Sequence, residues 1–399
     1  MARYTALDDP IVDKVIEGHL QRIVDAITAR MKPQSIVLRG SFGRGEGSVM
    51  LKEEGLYFIS DYEIDVTCNS PFYRSLFADL SKELSAEFGM QVGIRWMRPD
   101  CLTADRIGPF TSGPAPKSIS LYEFRYGSKI LWGEDFISGS LPIDPDQIPL
   151  RDGMKLILNR MAESLFYMSL DDNRTDESLV PYHWINKTIL ACAECLLLHW
   201  KEYHYSYEER GRRFARLAVD HLDFIGAQKE TMIGLVNRAT DFKLRPRTDI
   251  YQDNIHDTWN QVIPACDSVF RYLMSQGFDI SFENFADYPH RFLNWQAAHS
   301  PHRSDISFWQ LKLLEVYRAI SAHRHPQKAS SEFEASDIVY SAVPLLFFGY
   351  ASEKDSKVLA AARHWLGKLE RLEAPSTNQK IEWDYLRQVT TKFWKVYCY

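Results

Sequence analysis

The chain has 399 residues, 45% hydrophobic and 25% charged, with 47 Lys and Arg against 53 Asp and Glu for a formal net charge of −6. That composition fits a soluble globular protein long enough for two or three domains, and no apolar run reaches the length of a bilayer-crossing helix. The acidic balance argues against a large nonspecific nucleic-acid surface, and residues 1–30 interrupt their apolar positions with Arg, Asp, His and Gln, so no signal peptide and a cytoplasmic location are expected.

Along the chain, Ile16, Leu20, Ile23, Val24, Ile27 and Met31 recur at helical spacing, and Pro33 stops the pattern. Ser35 to Arg39 is a short β-branched run that ends in Gly40-Ser41-Phe42-Gly43-Arg44-Gly45-Glu46-Gly47, which predicts a strand followed by a tight glycine turn. Leu56 to Ile59 leads into Ser60-Asp61-Tyr62-Glu63-Ile64-Asp65-Val66, where acidic and apolar residues alternate with the period of a strand, so the three acids share a face. A helix is predicted over Pro71–Glu87 with Gly89 as its stop, then a strand over Met90–Met97.

From Arg151 onward the texture is helical, with predicted helices at Leu156–Met168, Trp184–Trp200, Phe214–Phe224 and Lys229–Leu235. After Gly277 an aromatic, His- and Arg-rich stretch leads to a helix around Phe308–Ser321, a polar loop over Gln327–Ser336, and helix again over Ile338–Leu369 with Pro344 as a break. The expected fold class is α+β, a small mixed-sheet domain followed by a mostly helical region. The expected domains are 1–150, 151–280 and 281–399.

Six cysteines are scattered along the chain, and the close pair Cys192 and Cys195 lies in an apolar helical run without a second pair at zinc-finger spacing, so both are expected in the core. His183, His199, His204, His290, His299, His302, His323 and His325 form no helix-spaced pair joined by a Glu and are read as surface or core residues. Trp184, Trp200, Tyr203, Tyr205 and Tyr207 are read first as packing, with a pocket for a base or acceptor as the alternative.

Two features carry chemistry. Gly40-Ser41 at a strand end lets backbone amides approach a phosphate, and Asp61 and Glu63, two residues apart on one strand face, offer hard oxygen donors to a divalent cation that bridges phosphate oxygens. Asp65 lies on the same face, so the metal pair reads as Asp61 and Glu63 or as Glu63 and Asp65. The spacer Glu46–Ser60 has room for a hairpin.

Leu38-Arg39-Gly40-Ser41-Phe42-Gly43-Arg44-Gly45 followed by Ser60-Asp61-Tyr62-Glu63-Ile64 resembles the signature of the DNA-polymerase-β-like nucleotidyltransferases, and Lys129-Ile130-Leu131-Trp132-Gly133-Glu134 is similar to their small-molecule branch, which includes antibiotic-modifying enzymes. The resemblance implies a nucleotidyltransferase domain in which Gly40 and Ser41 bind the triphosphate of an NTP and Asp61, Glu63 and Asp65 supply ligands to Mg²⁺ or Mn²⁺. It implies transfer of an NMP to a hydroxyl or phosphate acceptor, with pyrophosphate released. It also implies a helical companion domain carrying a phosphate-facing Lys, for which Lys187 is the candidate. Arg44 is a second phosphate candidate or else a partner in a turn ion pair, and Asn159 and Arg160 are lesser ones.

A third carboxylate common in the family is missing from Met90–Arg95, and the nearest later acids, Asp100 and Glu123, are read as surface or helix-polar residues. This leaves a catalytically degenerate nucleotide-binding regulator or scaffold as the alternative, beside an enzyme that modifies RNA or protein. No membrane partner is expected. The acceptor, the base of the NTP and the oligomeric state are not legible.

Overall fold

The computed structural model describes residues 4–53, 55–68, 73–97, 117–140, 142–168, 179–250, 254–299, 333–349 and 355–398. Asp100, Cys101, His302, His323, His325, the helix expected at Phe308–Ser321 and most of the polar stretch from Gln327 lie outside them. The chain divides into two compact units: Met1–Gly153 with Trp200–Leu217 and Val236–Tyr251, and Met154–His199 with Ala218–Leu235 and Gln252–Tyr399. The protein is α+β, with a small mixed sheet in its N-terminal part and helices after it.

In the first unit, α1 (Pro10–Thr28) starts with Pro at its first position and Asp9 as N-cap, whose side chain accepts the amides of Ile11 and Val12. Strand β1 (Ser35–Arg39) runs into the one-turn helix α2 (Gly40–Arg44), where a glycine turn had been expected. The spacer forms a separate hairpin of β2 (Val49–Lys52) and β3 (Gly55–Phe58) before β4 (Tyr62–Thr67). Helix α3 (Arg74–Phe88) is capped by Gly89 in the left-handed conformation. It is followed by β5 (Val92–Met97), α4 (Ile119–Gly127) and β6 (Lys129–Gly133).

The sheet order is β5-β4-β1-β6, with β1 antiparallel to β4 and β6, and β4 parallel to β5. Strand alternation gives its two faces opposite chemistry. Ile36, Leu38, Ile64, Val66, Val92 and Ile94 are buried in one cluster with Ile16, Leu20 and Ile23 of α1 and Phe77, Leu80 and Leu84 of α3. Burial of this size makes a truncation such as Phe77→Ala expensive, about 3–5 kcal/mol. The other face carries a small apolar patch of Val37, Phe124 and Ile137 beside charged residues. There the register pairs Arg39 with Glu63, Val37 with Asp65, and Asp65 with Arg95. One face therefore holds the sheet on its helices, and the other gathers Arg39, Glu63, Asp65 and Arg95.

The second unit is helical among its described residues. The main helices are α5 (Leu150–Tyr167, whose first turn belongs to the first unit), α6 (Val180–His199), α9 (Ile255–Phe278), α10 (Tyr288–His299), α11 (Ala335–Gly349), α12 (Ser356–Leu366) and α13 (Gln379–Tyr397). Helices α7 (Tyr207–His221) and α8 (Lys229–Leu244) contribute residues to both units. Pro344 does not break α11 as expected: the helix continues through it, with the ring fully enclosed among buried apolar residues that outweigh one lost backbone hydrogen bond. Phe270 sits among Phe285, Tyr288 and Phe348, with ring centroids 6.4, 5.5 and 5.4 Å away. Cys192, Cys195 and Cys266 are buried free thiols, and burial raises the Cys195 thiol far above its usual range.

Candidate functional site

The site starts where β1 ends. Gly40 has φ +67°, and a Cβ there would run into the Glu63 carboxylate. Glycine thus does two things at once: it takes the left-handed conformation that turns β1 into α2, and it admits the acid of the neighbouring strand against the backbone. Gly43 is equally confined, since a Cβ would lie 2.7 Å from the Leu38 carbonyl oxygen and 2.6 Å from that of Gly127. Gly40 of the turn and Glu63 of the acidic strand are thus in direct contact.

The three acids have different surroundings. Asp65 is 4% exposed, and its Oδ1 and Oδ2 accept hydrogen bonds from Arg95 Nε at 3.2 Å and Arg39 Nη1 at 3.3 Å. Glu63 is 33% exposed, with Arg39 Nε at 3.3 Å and Arg95 Nη2 at 3.6 Å. Asp61 precedes β4, is half-buried, and has no hydrogen-bond or ion-pair partner among the described residues. Asp65 is committed to arginines, whereas Asp61 and one edge of Glu63 are open to a hard cation. That donor set fits Mg²⁺, which is commonly held by one or two carboxylates and completed by substrate phosphates. No convergence of three or more His, Cys, Asp or Glu side chains on a metal position occurs among the described residues.

Sequence reading missed Lys243. Its side chain is buried, and Nζ donates to Ser41 Oγ at 2.8 Å, Ser48 Oγ at 2.9 Å and Ser60 Oγ at 3.1 Å. Ser48 Oγ in turn donates to the Lys243 carbonyl at 2.6 Å, and Ser60 Oγ accepts the Ser48 amide at 2.9 Å. One ammonium joins the Gly40-Ser41 turn, the hairpin entry and the residue before Asp61. No sequence pattern near residue 243 announces this, because the partners lie about two hundred residues away.

Arg44 points into a buried ion network. Its guanidinium lies 3.0 Å from Glu123 and 3.6 Å from Glu46. Glu123 also accepts from Arg210 at 3.1 Å and from the Tyr203 hydroxyl at 2.8 Å, so the residue expected at the surface or as a polar helix position is a polar helix residue that anchors the first unit. Burial alone would raise the Glu123 carboxyl, but Arg44 and Arg210, helped by the Tyr203 hydroxyl, hold it below its usual value. Glu46 accepts from Ser206 Oγ at 2.7 Å and from the amides of Tyr207 and Glu208 at 2.9 and 3.1 Å, capping the start of α7. Ser206 Oγ also accepts the Glu209 amide at 3.2 Å, an N-cap for the same helix.

Three further candidates, Lys187, Asn159 and Arg160, belong to the second unit. Lys187 has its Nζ 4.3 Å from the centre of the Trp184 ring, which itself stacks on Tyr167 at 4.7 Å. Asn159 Oδ1 accepts from Tyr340 OH at 2.8 Å and Trp394 Nε1 at 2.9 Å, and Arg160 pairs with Glu163 at 2.6 Å. Tyr203 and Tyr207 serve the ion network, since Arg210 lies 4.0 Å from the Tyr207 ring centre and Arg44 5.1 Å from it. No helix among the described residues is long and apolar enough to cross a membrane. No protein-family model, characterised protein or solved structure matches this chain.

Proposed function

We propose that the first unit is a nucleotidyltransferase of the DNA-polymerase-β type, transferring an NMP from a Mg²⁺- or Mn²⁺-bound NTP to a hydroxyl or phosphate acceptor on a small molecule and releasing pyrophosphate. The single observation that carries this reading is the direct apposition of the Gly40-Ser41 turn to Glu63, with Asp61 open beside it. A triphosphate on the turn would then lie within reach of both carboxylates.

In this reading Gly40 gives the phosphates close access to the backbone, and Ser41, fixed through its hydroxyl by Lys243, keeps the turn in one geometry. Asp61 and Glu63 hold the cation, while Asp65 orients Arg39 and Arg95 without binding it. The cation, when bound, neutralises charge on the attacking and leaving oxygens of an in-line displacement. Arg44, Glu123, Arg210 and Glu46 hold the turn and α7 together, so their contribution is positional.

The test is transfer of label from α-labelled NTP, or pyrophosphate release, with Asp61→Asn as control. Activity unchanged in that variant sinks the metal assignment. A nucleotide binder without turnover is the second reading, favoured by an arginine on β5 beside the acids. Tight Mg²⁺–NTP binding with no product across acceptors would select it.

A further inference from the structure

We infer that the acceptor is a phosphomonoester gripped by Arg95, and that one of its own phosphate oxygens is the nucleophile. The inference rests on the nucleotidyltransferase reading of the same site. Strand β5 runs parallel to β4, and its register sets Gly93 beside Glu63 and Arg95 beside Asp65. The one charge that Val92–Met97 brings to the acidic face is therefore a guanidinium.

Arg95 is placed as a receptor for a ligand rather than as a simple counter-charge. Arg39 already spans both acids, with Nε 3.3 Å from Glu63 and Nη1 3.3 Å from Asp65, and its Nη2 donates to Ser120 Oγ at 3.2 Å. Arg95 spans the same two acids more loosely, with Nη2 3.6 Å from Glu63, and differs in exposure, 53% against 21% for Arg39. Nearly buried Asp65 holds Arg95 by Nε and Glu63 lies beside its Nη2, which fixes the plane of the fork and leaves Nη1 without a partner among the described residues. A planar guanidinium steered by a buried carboxylate and open to solvent on its far edge suits bidentate recognition of phosphate.

The chemistry of the nucleophile points the same way. A hydroxyl must lose a proton as it attacks, and catalysis then requires a base in reach. A phosphomonoester, with a second pKa of about 6, is already a dianion near neutral pH and needs none. In the step, an acceptor phosphate oxygen bonds to the α-phosphorus, and the bond from that phosphorus to the α–β bridging oxygen breaks. Pyrophosphate leaves with the electron pair, no proton passes to the protein, and the product is a diphosphate ester. An amino-sugar acceptor, cationic at this pH, would be repelled by the same guanidinium.

The full chain is assayed with Mg²⁺ and α-labelled NTP against three sets of acceptors: a hexose phosphate, glycerol phosphate and ribose phosphate; the same compounds without phosphate; and amino sugars. Label is expected in phosphatase-resistant diphosphate esters of the first set alone. Arg95→Gln should raise the acceptor KM by about tenfold or more, with Arg95→Lys intermediate, while the KM for NTP moves by less than about twofold. Label on an unphosphorylated compound or an amino sugar, no product from any phosphomonoester, or a loss confined to the KM for NTP overturns the inference. Calorimetry with Mg²⁺ and NTP alone separates the two levels: absent binding fells the nucleotidyltransferase reading, whereas binding together with transfer to a hydroxyl leaves that reading standing and removes only this one.

Discussion

Gly40 is under two constraints, a left-handed backbone and the Glu63 carboxylate pressed against its α-carbon. Gly40→Ala should cost about 1–2 kcal/mol from the backbone alone and displace Glu63, so thermal melting should show a lower Tm and calorimetry a loss of Mg²⁺-dependent nucleotide binding. Lys243→Met keeps the length of the side chain but leaves Ser41, Ser48 and Ser60 without their common donor, at about 1–3 kcal/mol for buried polar groups left unsatisfied. Its signature should be a weaker affinity for NTP beyond what the drop in Tm explains. Retention of full affinity would show that Ser41 needs no fixing.

Glu123 supplies a pH dependence. Its folded carboxyl titrates below its unfolded value, so it contributes stability that is complete above about pH 4.3 and is lost as pH falls through the lower folded value. Glu123→Gln removes one member of a buried ion network, about 3 kcal/mol, and should flatten the acid limb of a plot of Tm against pH. The strand that carries Glu63 and Asp65 was legible from local alternation, and the turn out of β1 from its glycines, although it proved to be the one-turn helix α2. Glu123, Glu46 and Lys243 were not, since each acts through partners 79 to 202 residues away, at Arg44, Ser206 and Ser41.

At the scale of elements, the N-terminal strands and helices followed from alternation and from stop signals such as Gly89, which does cap α3. Prediction failed where burial overrode a local rule. Pro344 reads as a break in isolation but is carried inside an apolar helix, and α9, with Pro264 inside it, was not recognised. Asn159 shows the opposite error, a residue weighed for phosphate that serves as a node between α5, α11 and α13. Asn159→Ala leaves the Tyr340 hydroxyl and the Trp394 indole N–H without that acceptor, about 2–4 kcal/mol in all. A urea titration should record it as a lower midpoint, without loss of nucleotide binding by the first unit.

At the scale of the molecule, a ligand that binds only the folded state should raise its stability, by about 2.7 kcal/mol at a hundred times Kd. Mg²⁺ with NTP should therefore raise the Tm, neither alone should match it, and Asp61→Asn should abolish the shift. A shift that survives in Asp61→Asn would place the cation elsewhere.

The bond from Lys243 to Ser41 also sets an order of events at the ribosome. Ser41, Ser48 and Ser60 emerge early, and their shared donor is translated about two hundred residues later, after Ser206 and the rest of the Glu46 cap. Closing so long a loop adds little to the equilibrium entropy, which grows only with the logarithm of its length, but non-local contacts of this kind slow folding. The nascent N-terminal segment can build its sheet and apolar face early. It must wait for residue 243 before the Gly40-Ser41 turn is tied down.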